Sequence, residues 1–393
     1  MQLNGQELHI LIKYCFTQKF THLMRTVWPS IILQFVQQWD DILKKLFATS
    51  IGVSTADLSM DGNLPWDVAR LHAADGGMGI YYLEDRVHAA FVASVISSME
   101  VIMQKNPEIK DIIVDQVMEE KTNGHFNFNC TGKKYDSTPR TIKELLQSIT
   151  FLRDNGIKLQ GEAVSLENLT QLESKQFKHL QAVLTEGFRR KRSAEATEKM
   201  NSDQIIIFQS GASGPAGAYT DMIPTDMPQS RMDNGQWHNS GRRRCLVRDT
   251  ANAGTQCVCK SRSKLDSNHI HMQTCAVAGG PGRNETHDDV KFCIVSMLNG
   301  VGLKATVETL VQKGKNKKRM DIVLNTLNAP GFQAAIIDMD VTVVNAMTSK
   351  AKNTSANNAT LNDAVAKKER KYNEDSRQQG HKFISNTETN VDL

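Results

Sequence analysis

What this 393-residue chain does not have narrows what it can be. No signal-peptide pattern opens it. MQLNGQELHILIKYCF has neither a basic n-region nor a small-residue cleavage site, which argues against export. By inspection no apolar run is long enough to cross a bilayer, so no membrane partner is expected. The cysteines do not make an even set: there are seven, three of them crowded into 257–275. A disulfide framework is therefore disfavoured, and a reduced compartment (cytoplasm or nucleus) with a metal site is expected. Aromatic residues are sparse, at 6%. Neither sign of charge dominates, with Lys plus Arg at 47 against Asp plus Glu at 43, so net charge alone names no partner.

What charge there is comes in clusters. FRRKR (188–192), GRRRC (241–245) and KGKNKKR (313–319) are the dense basic stretches. Such runs are usually solvated surface, and they are also the composition of a phosphate-binding face or a nuclear address. Arg242, Arg243, Arg244, Lys315, Lys317, Lys318 and Arg319 are the candidate nucleic-acid contacts.

Hydrophobic periodicity predicts an α+β protein with a helical N-terminal half. In 1–105, RVHAAFVASVISSMEVI puts Val87, Ala90, Phe91, Val95 and Ile102 on one stripe. Gly76, Gly77 and Gly79 mark a tight turn before it. In 106–200, TIKELLQSITFL carries a stripe of Ile142, Leu145, Leu146, Ile149 and Leu152. Thr141 followed by Glu144 reads as a capping box. LTQLESKQFKHLQAVL continues the pattern at Leu169, Leu172, Phe177, Leu180 and Leu184. The segment 201–244 is rich in Gly, Pro and Ser and reads as a connector. From 287 to 393 the expected order is α-β-β-β-α-β. Its first helix, HDDVKFCIVSMLNG, faces Val290, Cys293, Ile294, Met297 and Leu298 inward and is stopped by Gly300. A flexible connector is expected over 349–360.

Between these parts, 245–286 carries CVCKSRSKLDSNHIHMQTC. Thiolates and imidazoles at loop spacing are what a tetrahedral zinc ion needs, and a polar, loop-rich unit needs such a staple. Cys257, Cys259, His271 and Cys275 are the expected ligands of a structural zinc. The Cys-x-Cys spacing is shorter than usual, so Cys245 or His269 stand as substitutes.

The strand IIDMDVTVVN (336–345) holds two carboxylates in an otherwise apolar run. Alternation puts Ile337, Met339, Val341 and Val343 on one face and Asp338 and Asp340 on the other. If this strand pairs with KRMDIVLN, Asp321 meets Asp340 at one end of the sheet. Carboxylates so placed suit a magnesium ion that activates water against a phosphodiester. A hydrogen-bonded structural aspartate is the equally weighted alternative. No lysine lies two residues beyond either aspartate, where Thr342 follows Asp340. Lys371, on the helix AKKERKY, is the candidate for that role.

In order along the chain, LHILIKYCFTQKFTHLMRTVWP, ARLHAADGGMGI, GASGPAGAYTDMIPTD, HIHMQTCAVAGGPGRNETHDDV, KRMDIVL, IDMDVTVVN and RKYNEDSRQQGHKFISNTET resemble stretches of one family. It is the C-terminal portion of polyproteins of non-LTR retrotransposons that carry a restriction-like endonuclease. The resemblance covers most of the chain, with 100–165 the least clear. It implies a segment following the polymerase palm, then a zinc knuckle, then a PD-(D/E)xK-type nuclease that nicks DNA, with DNA or RNA as partner. It carries Asp321 and Asp340 over as metal-binding acids and leaves Asp338 as an accessory. Lys371 matches a downstream basic position loosely, and Glu308 matches a recurrent acid of no assigned role. Met320 departs from the small or Pro residue usual before the first aspartate. The palm and its paired aspartates are missing: Asp40 and Asp41 of QWDDIL belong to a helix beyond that point. No reverse transcription is therefore expected from this chain alone. A nucleic-acid-binding protein without cleavage, or a degenerate element copy, are the alternatives.

Overall fold

The computed structural model describes residues 3–124, 126, 138–172, 174–212, 220, 231–248, 253–259, 262–267, 271, 275, 291–292, 294–296, 298–300, 302–312, 318–326, 336–340, 366–372, 376–377 and 382–385. The fold is mixed, largely helical with small sheets, and divides into two units. The first comprises Met1–Met200 and Asn234–Cys245; the second comprises Asn201–Asp233 and Leu246–Leu393.

In the first unit the helices run α1 (Gly5–Ile10), α2 (Thr17–Thr26), α3 (Pro29–Ser50), α4 (Thr55–Leu58), α5 (Met60–Arg70), α6 (Leu83–Lys105) and α7 (Pro107–Asn123). They continue with α8 (Arg140–Asp154), α9 (Leu166–Thr170) and α10 (Ser174–Glu198). A two-stranded antiparallel ribbon, β1 (Lys158–Leu159) and β2 (Glu162–Ala163), lies between α8 and α9. The central element is α6. The expected stripe is present, with Val87, Ala90, Phe91 and Val95 buried and Ile102 packed beside the core. Burial extends beyond it to Ala89, Val92, Ala93, Ile96 and Met99, because α2, α3, α8 and α10 all pack against this one helix. By length and composition α6 also meets the requirement for a membrane span, which corrects the reading that no run is long enough. Here most of that apolar window is packed inside the fold.

The stripe of α8 is buried as expected, at Ile142, Leu145, Leu146, Ile149 and Leu152. Its capping box is not formed. The N-cap is Pro139, with no side-chain cap. Glu144 instead accepts from the backbone and hydroxyl of Ser30, and Thr141 Oγ1 accepts from Trp28 Nε1 at 3.3 Å. Tertiary partners on α3 and just before it outbid the local cap. The periodic run read through 169–184 is broken into α9 and α10. Leu169, Leu180 and Leu184 are nevertheless in one core with α6 and α8, while Leu172 and Phe177 pack on its edge. The glycine turn is as expected. Gly76 and Gly79 have φ of 90° and 76°, and at Gly77 the carbonyl of Leu71 leaves no room for a Cβ.

A buried histidine in this core carries a pH prediction. His88 stacks on Phe151 at 4.0 Å and hydrogen-bonds Ser148 Oγ at 3.1 Å. Burial depresses its pKa to about 4, although Glu144 and Asp85 pull it upward. The folded state therefore binds this proton less readily than the unfolded chain. The associated stability is present above pH 6.5 and is lost as pH falls towards 4. Asp40 opposes this, since burial raises its pKa to about 6. The effect is thus read as a difference from His88→Gln. Between pH 7 and pH 4.5, urea unfolding of the wild type is expected to lose roughly 2 kcal/mol more than the variant. Equal losses would remove His88 as the cause.

The stretch assigned to the connector contains two helices, α11 (Ser202–Gly211) and α12 (Asn234–Arg244). The second belongs to the first unit. The Gly5 N–H donates to Asn234 Oδ1 at 2.8 Å, and Trp237 is fully buried beside His9, at 5.2 Å between rings. Most of the remaining Gly/Pro-rich stretch and all of 349–360 lie outside the described residues.

In the second unit, four strands form a sheet of order β3 (Lys304–Gln312), β4 (Lys318–Asn325), β5 (Ile336–Asp340), β6 (Lys382–Ser385). β3–β4 and β4–β5 are antiparallel and β5–β6 is parallel. A parallel neighbour requires a crossover, and the helical residues 366–372 lie between β5 and β6 in sequence. Helical residues within 291–300 precede β3, so among the described residues the elements follow as helix, three strands, helix, strand. One face packs Ala305, Ile322, Leu324, Ile337 and Met339 with Ile294, Val295 and Leu298 into a core. Gly300 is still helical, and the left-handed turn is made by Gly302, with φ of 83°. The stop therefore comes two residues later than expected. Val290, Cys293 and Met297 lie outside the described residues.

Candidate metal centre and carboxylate row

The Cys/His segment folds as a small hairpin. Leu265 N–H donates to Thr255 O and Gly254 N–H to Leu265 O, both at 2.8 Å, and Gln256 bridges Lys264. Cys257 N–H donates to Ser263 O at 3.0 Å, and Arg262 N–H to Cys259 O at 2.9 Å, closing the turn. Between the two cysteines Val258 is 87% exposed, so its neighbours on either side turn inward together. This is how Cys-x-Cys aims both sulfurs at one point despite the short spacing. The other strap is set by Asp266, which accepts the His271 N–H at 2.7 Å, and by a Cys275 N–H to His271 O bond of 2.8 Å.

One ligand atom from each of Cys257, Cys259, His271 and Cys275 lies within 4.8 Å of all the others. The Cys257 and Cys275 sulfurs are 3.9 Å apart, and Cys259 Sγ is 3.5 Å from His271 Nε2. With Zn–S near 2.3 Å and Zn–N near 2.05 Å, tetrahedral edges are about 3.8 Å for S–S and about 3.6 Å for S–N. The donor set and its spacing therefore fit zinc, in the Cys3His combination common in closed structural sites. Leu265 packs against the three buried cysteines. Of the two substitute ligands, Cys245 belongs to the first unit, where it is fully buried and burial pushes its thiol up to about 12. It is a core cysteine. His269 lies outside the described residues.

On the sheet, the register decides which acids share a line. Val323 pairs with Asp338 and Ile322 with Met339, so the next step sets Asp321 opposite Asp340. On the other side, the pairs Val307–Ile322 and Thr309–Met320 bracket Glu308, which falls opposite Asp321. Continued by one step, the backbone register thus brings Glu308, Asp321 and Asp340 to neighbouring positions on three adjacent strands. On the other side of β5, Asp340 pairs in register with Ser385 of β6. Asp321 is half-buried.

Asp338 shares the face of Asp340 but sits one pair further along. It is fully buried and accepts a 2.7 Å hydrogen bond from Ser376 Oγ. That bond crosses 38 residues, and no sequence signal pointed to Ser376. Lys371 is exposed on its helix, and its ammonium donates to Tyr372 Oη at 2.7 Å.

The basic runs separate into different roles. Arg242 donates to the carbonyls of Ile51 and Gly52 at the end of α3. Arg244 is buried and donates to Gly77 O and Ala73 O, both at 2.7 Å. The two are thus bound up with main-chain carbonyls of the first unit, and of the 242–244 trio only Arg243 is exposed. In FRRKR, Phe188 is core while Arg189 and Arg192 pair with Asp75 and Asp85. Lys315 and Lys317 lie outside the described residues, and Lys318 and Arg319 are placed only as backbone of β4. No family model and no curated protein matches this chain.

Proposed function

We propose that the second unit is a metal-dependent DNA endonuclease of the restriction-like type, joined to a nucleic-acid-gripping zinc knuckle. In this reading the chain is a remnant of a non-LTR retrotransposon polyprotein. The observation that carries it is the row Glu308–Asp321–Asp340, reached from three strands by register alone. Hard carboxylate oxygens in a row are a suitable donor set for magnesium. Bound there, magnesium would supply polarisation of a phosphodiester and a lowered pKa for water. The chain's own part is to hold the acids in line. The apolar face anchors β4 and β5 through Ile322, Leu324, Ile337 and Met339. On the acid face, the Asp338–Ser376 bond ties the segment after the crossover helix to the central strand. Asp338 is thereby a positioning residue, and Asp340 and Asp321 are the acids that meet metal.

The test is nicking of supercoiled plasmid with Mg²⁺ or Mn²⁺. Wild type nicks, and Asp340→Ala lowers the rate by roughly 100-fold or more, the scale at which even outer partners of a metal site matter. Wild type without nicking activity, or a variant that nicks equally well, removes the assignment.

One observation favours a second reading, a nucleic-acid-binding protein without cleavage. Lys371, the candidate for the catalytic lysine, donates to the tyrosine next to it, while the knuckle's donor set is complete. This reading expects saturable, salt-sensitive DNA binding that is lost with Cys275→Ser and untouched by Asp340→Ala.

A further inference from the structure

The first unit holds a cleft of about 460 Å³, in the size range of small-ligand sites, between the end of α2, the turn after α5, the start of α6 and α10. Five arginines line it, at 25, 70, 86, 189 and 192. Three are locked to carboxylates. Arg70 reaches Asp40 at 2.7 Å, Arg189 reaches Asp75 at 2.6 Å, and Arg192 grips Asp85 through two bonds of 2.8 and 2.6 Å.

Arg25 and Arg86 are different. Among the described residues neither has a carboxylate within ion-pair distance, while Arg189 and Arg192 each hold a second one, Glu186 and Glu195. Arg25 is exposed at the rim. Arg86 lies flat on Tyr81, with its guanidinium carbon 3.7 Å from the ring centre. Its side chain also hydrogen-bonds Tyr81, and its Nε, like that of Arg70 in the same cleft, is buried without a hydrogen-bond partner. Leaving a buried donor of a charged group unused is costly, so such a group points to an acceptor supplied from outside. A guanidinium edge offers the paired donors that match a phosphate. Leu71, Phe177 and Phe188 add an apolar wall to the same cleft.

We propose that this cleft binds a nucleotide, its phosphate on Arg86 and Arg25 and its base against the aromatic wall. The two sources of that chemistry are a free mononucleotide and a nucleotide unit of a single strand. The inference does not rest on the nuclease reading, since none of these residues belongs to the knuckle or to the carboxylate row.

Calorimetric titration of the full-length protein tests it with three probes: inorganic phosphate, AMP, and a short 5′-phosphorylated oligothymidylate. AMP binds saturably and more tightly than phosphate. Arg86→Gln weakens it about tenfold, the worth of one charge-assisted contact pair. Arg25→Gln weakens it severalfold. AMP binding tighter than the oligonucleotide identifies a free nucleotide. Tighter oligonucleotide binding with the same loss in Arg86→Gln identifies a strand. If Arg86→Gln fails to fold, the exposed Arg25 decides the matter. Absence of saturable binding by AMP and the oligonucleotide, phosphate binding as tight as AMP, or undiminished affinity in the arginine variants overturns the proposal.

Discussion

Purified from cells, the protein is expected to carry one zinc ion per chain, and Cys275→Ser is expected to lose it. The four donors already lie at tetrahedral spacings, with sulfurs 3.9 Å apart and a sulfur 3.5 Å from the imidazole nitrogen. Structural zinc sites of this kind bind with apparent free energies of about 10–16 kcal/mol at neutral pH, and that energy is folding energy where the unit has little core of its own. Here the only apolar side chain packed on the three cysteines is Leu265 among the described residues. Removing the metal with a strong chelator should therefore open the hairpin of residues 254–265. Cobalt exchange gives a direct reading, because thiolate ligation produces absorption bands that the ion in water lacks. The exposed Val258 supplies the control, since Val258→Asp should leave zinc content unchanged. Protein that neither retains zinc nor takes up cobalt after reduction would sink the metal centre. Affinity should also fall with acid, because the sulfurs bind as thiolates and the imidazole binds neutral.

Truncation of Phe91 to alanine should cost about 3–5 kcal/mol, the range for a large aromatic removed from a packed interior. Phe91 is 2% exposed in the middle of α6, in the core shared with α8 and α10. It is also on a helix hemmed in on several sides, so the surroundings have little freedom to collapse into the space. All four tryptophans, at 28, 39, 66 and 237, fall in the first unit. Tryptophan emission, excited selectively over tyrosine, thus reports that unit in urea, and the midpoint shift of Phe91→Ala can be read from it. A loss below about 1 kcal/mol would mean that α6 is not the central element.

The helical half was legible where burial follows a simple period. Ile142, Leu145, Leu146, Ile149 and Leu152 repeat at helical spacing and are buried, because one face of α8 meets one core. The period was less informative for α6, whose burial on several sides widens the expected stripe. Caps were harder to read. Thr141 and Glu144 have the composition of a capping box, but both side chains are taken by Trp28 and Ser30, more than a hundred residues away in sequence. A local rule loses when a distant partner satisfies the same atoms. The same holds for GRRRC, where charge density suggested phosphate and the fold directs Arg242 and Arg244 to carbonyl oxygens.

By itself the sequence determined the order of the elements around β3 to β6, the alternation along β5, and the four residues of the metal cluster. These depend on alternation along a strand and on ligand type, which are local properties. Only the tertiary structure decided what those residues meet. Register placed Glu308 in line with Asp321 and Asp340, a relation between three strands that no single strand encodes. It also separated Asp338, buried and bonded to Ser376, from its neighbour two residues on. The arginine cleft belongs wholly to this second class. Its lining comes from segments up to about 170 residues apart, and Arg86 stands out only once the carboxylates that serve Arg70, Arg189 and Arg192 are seen.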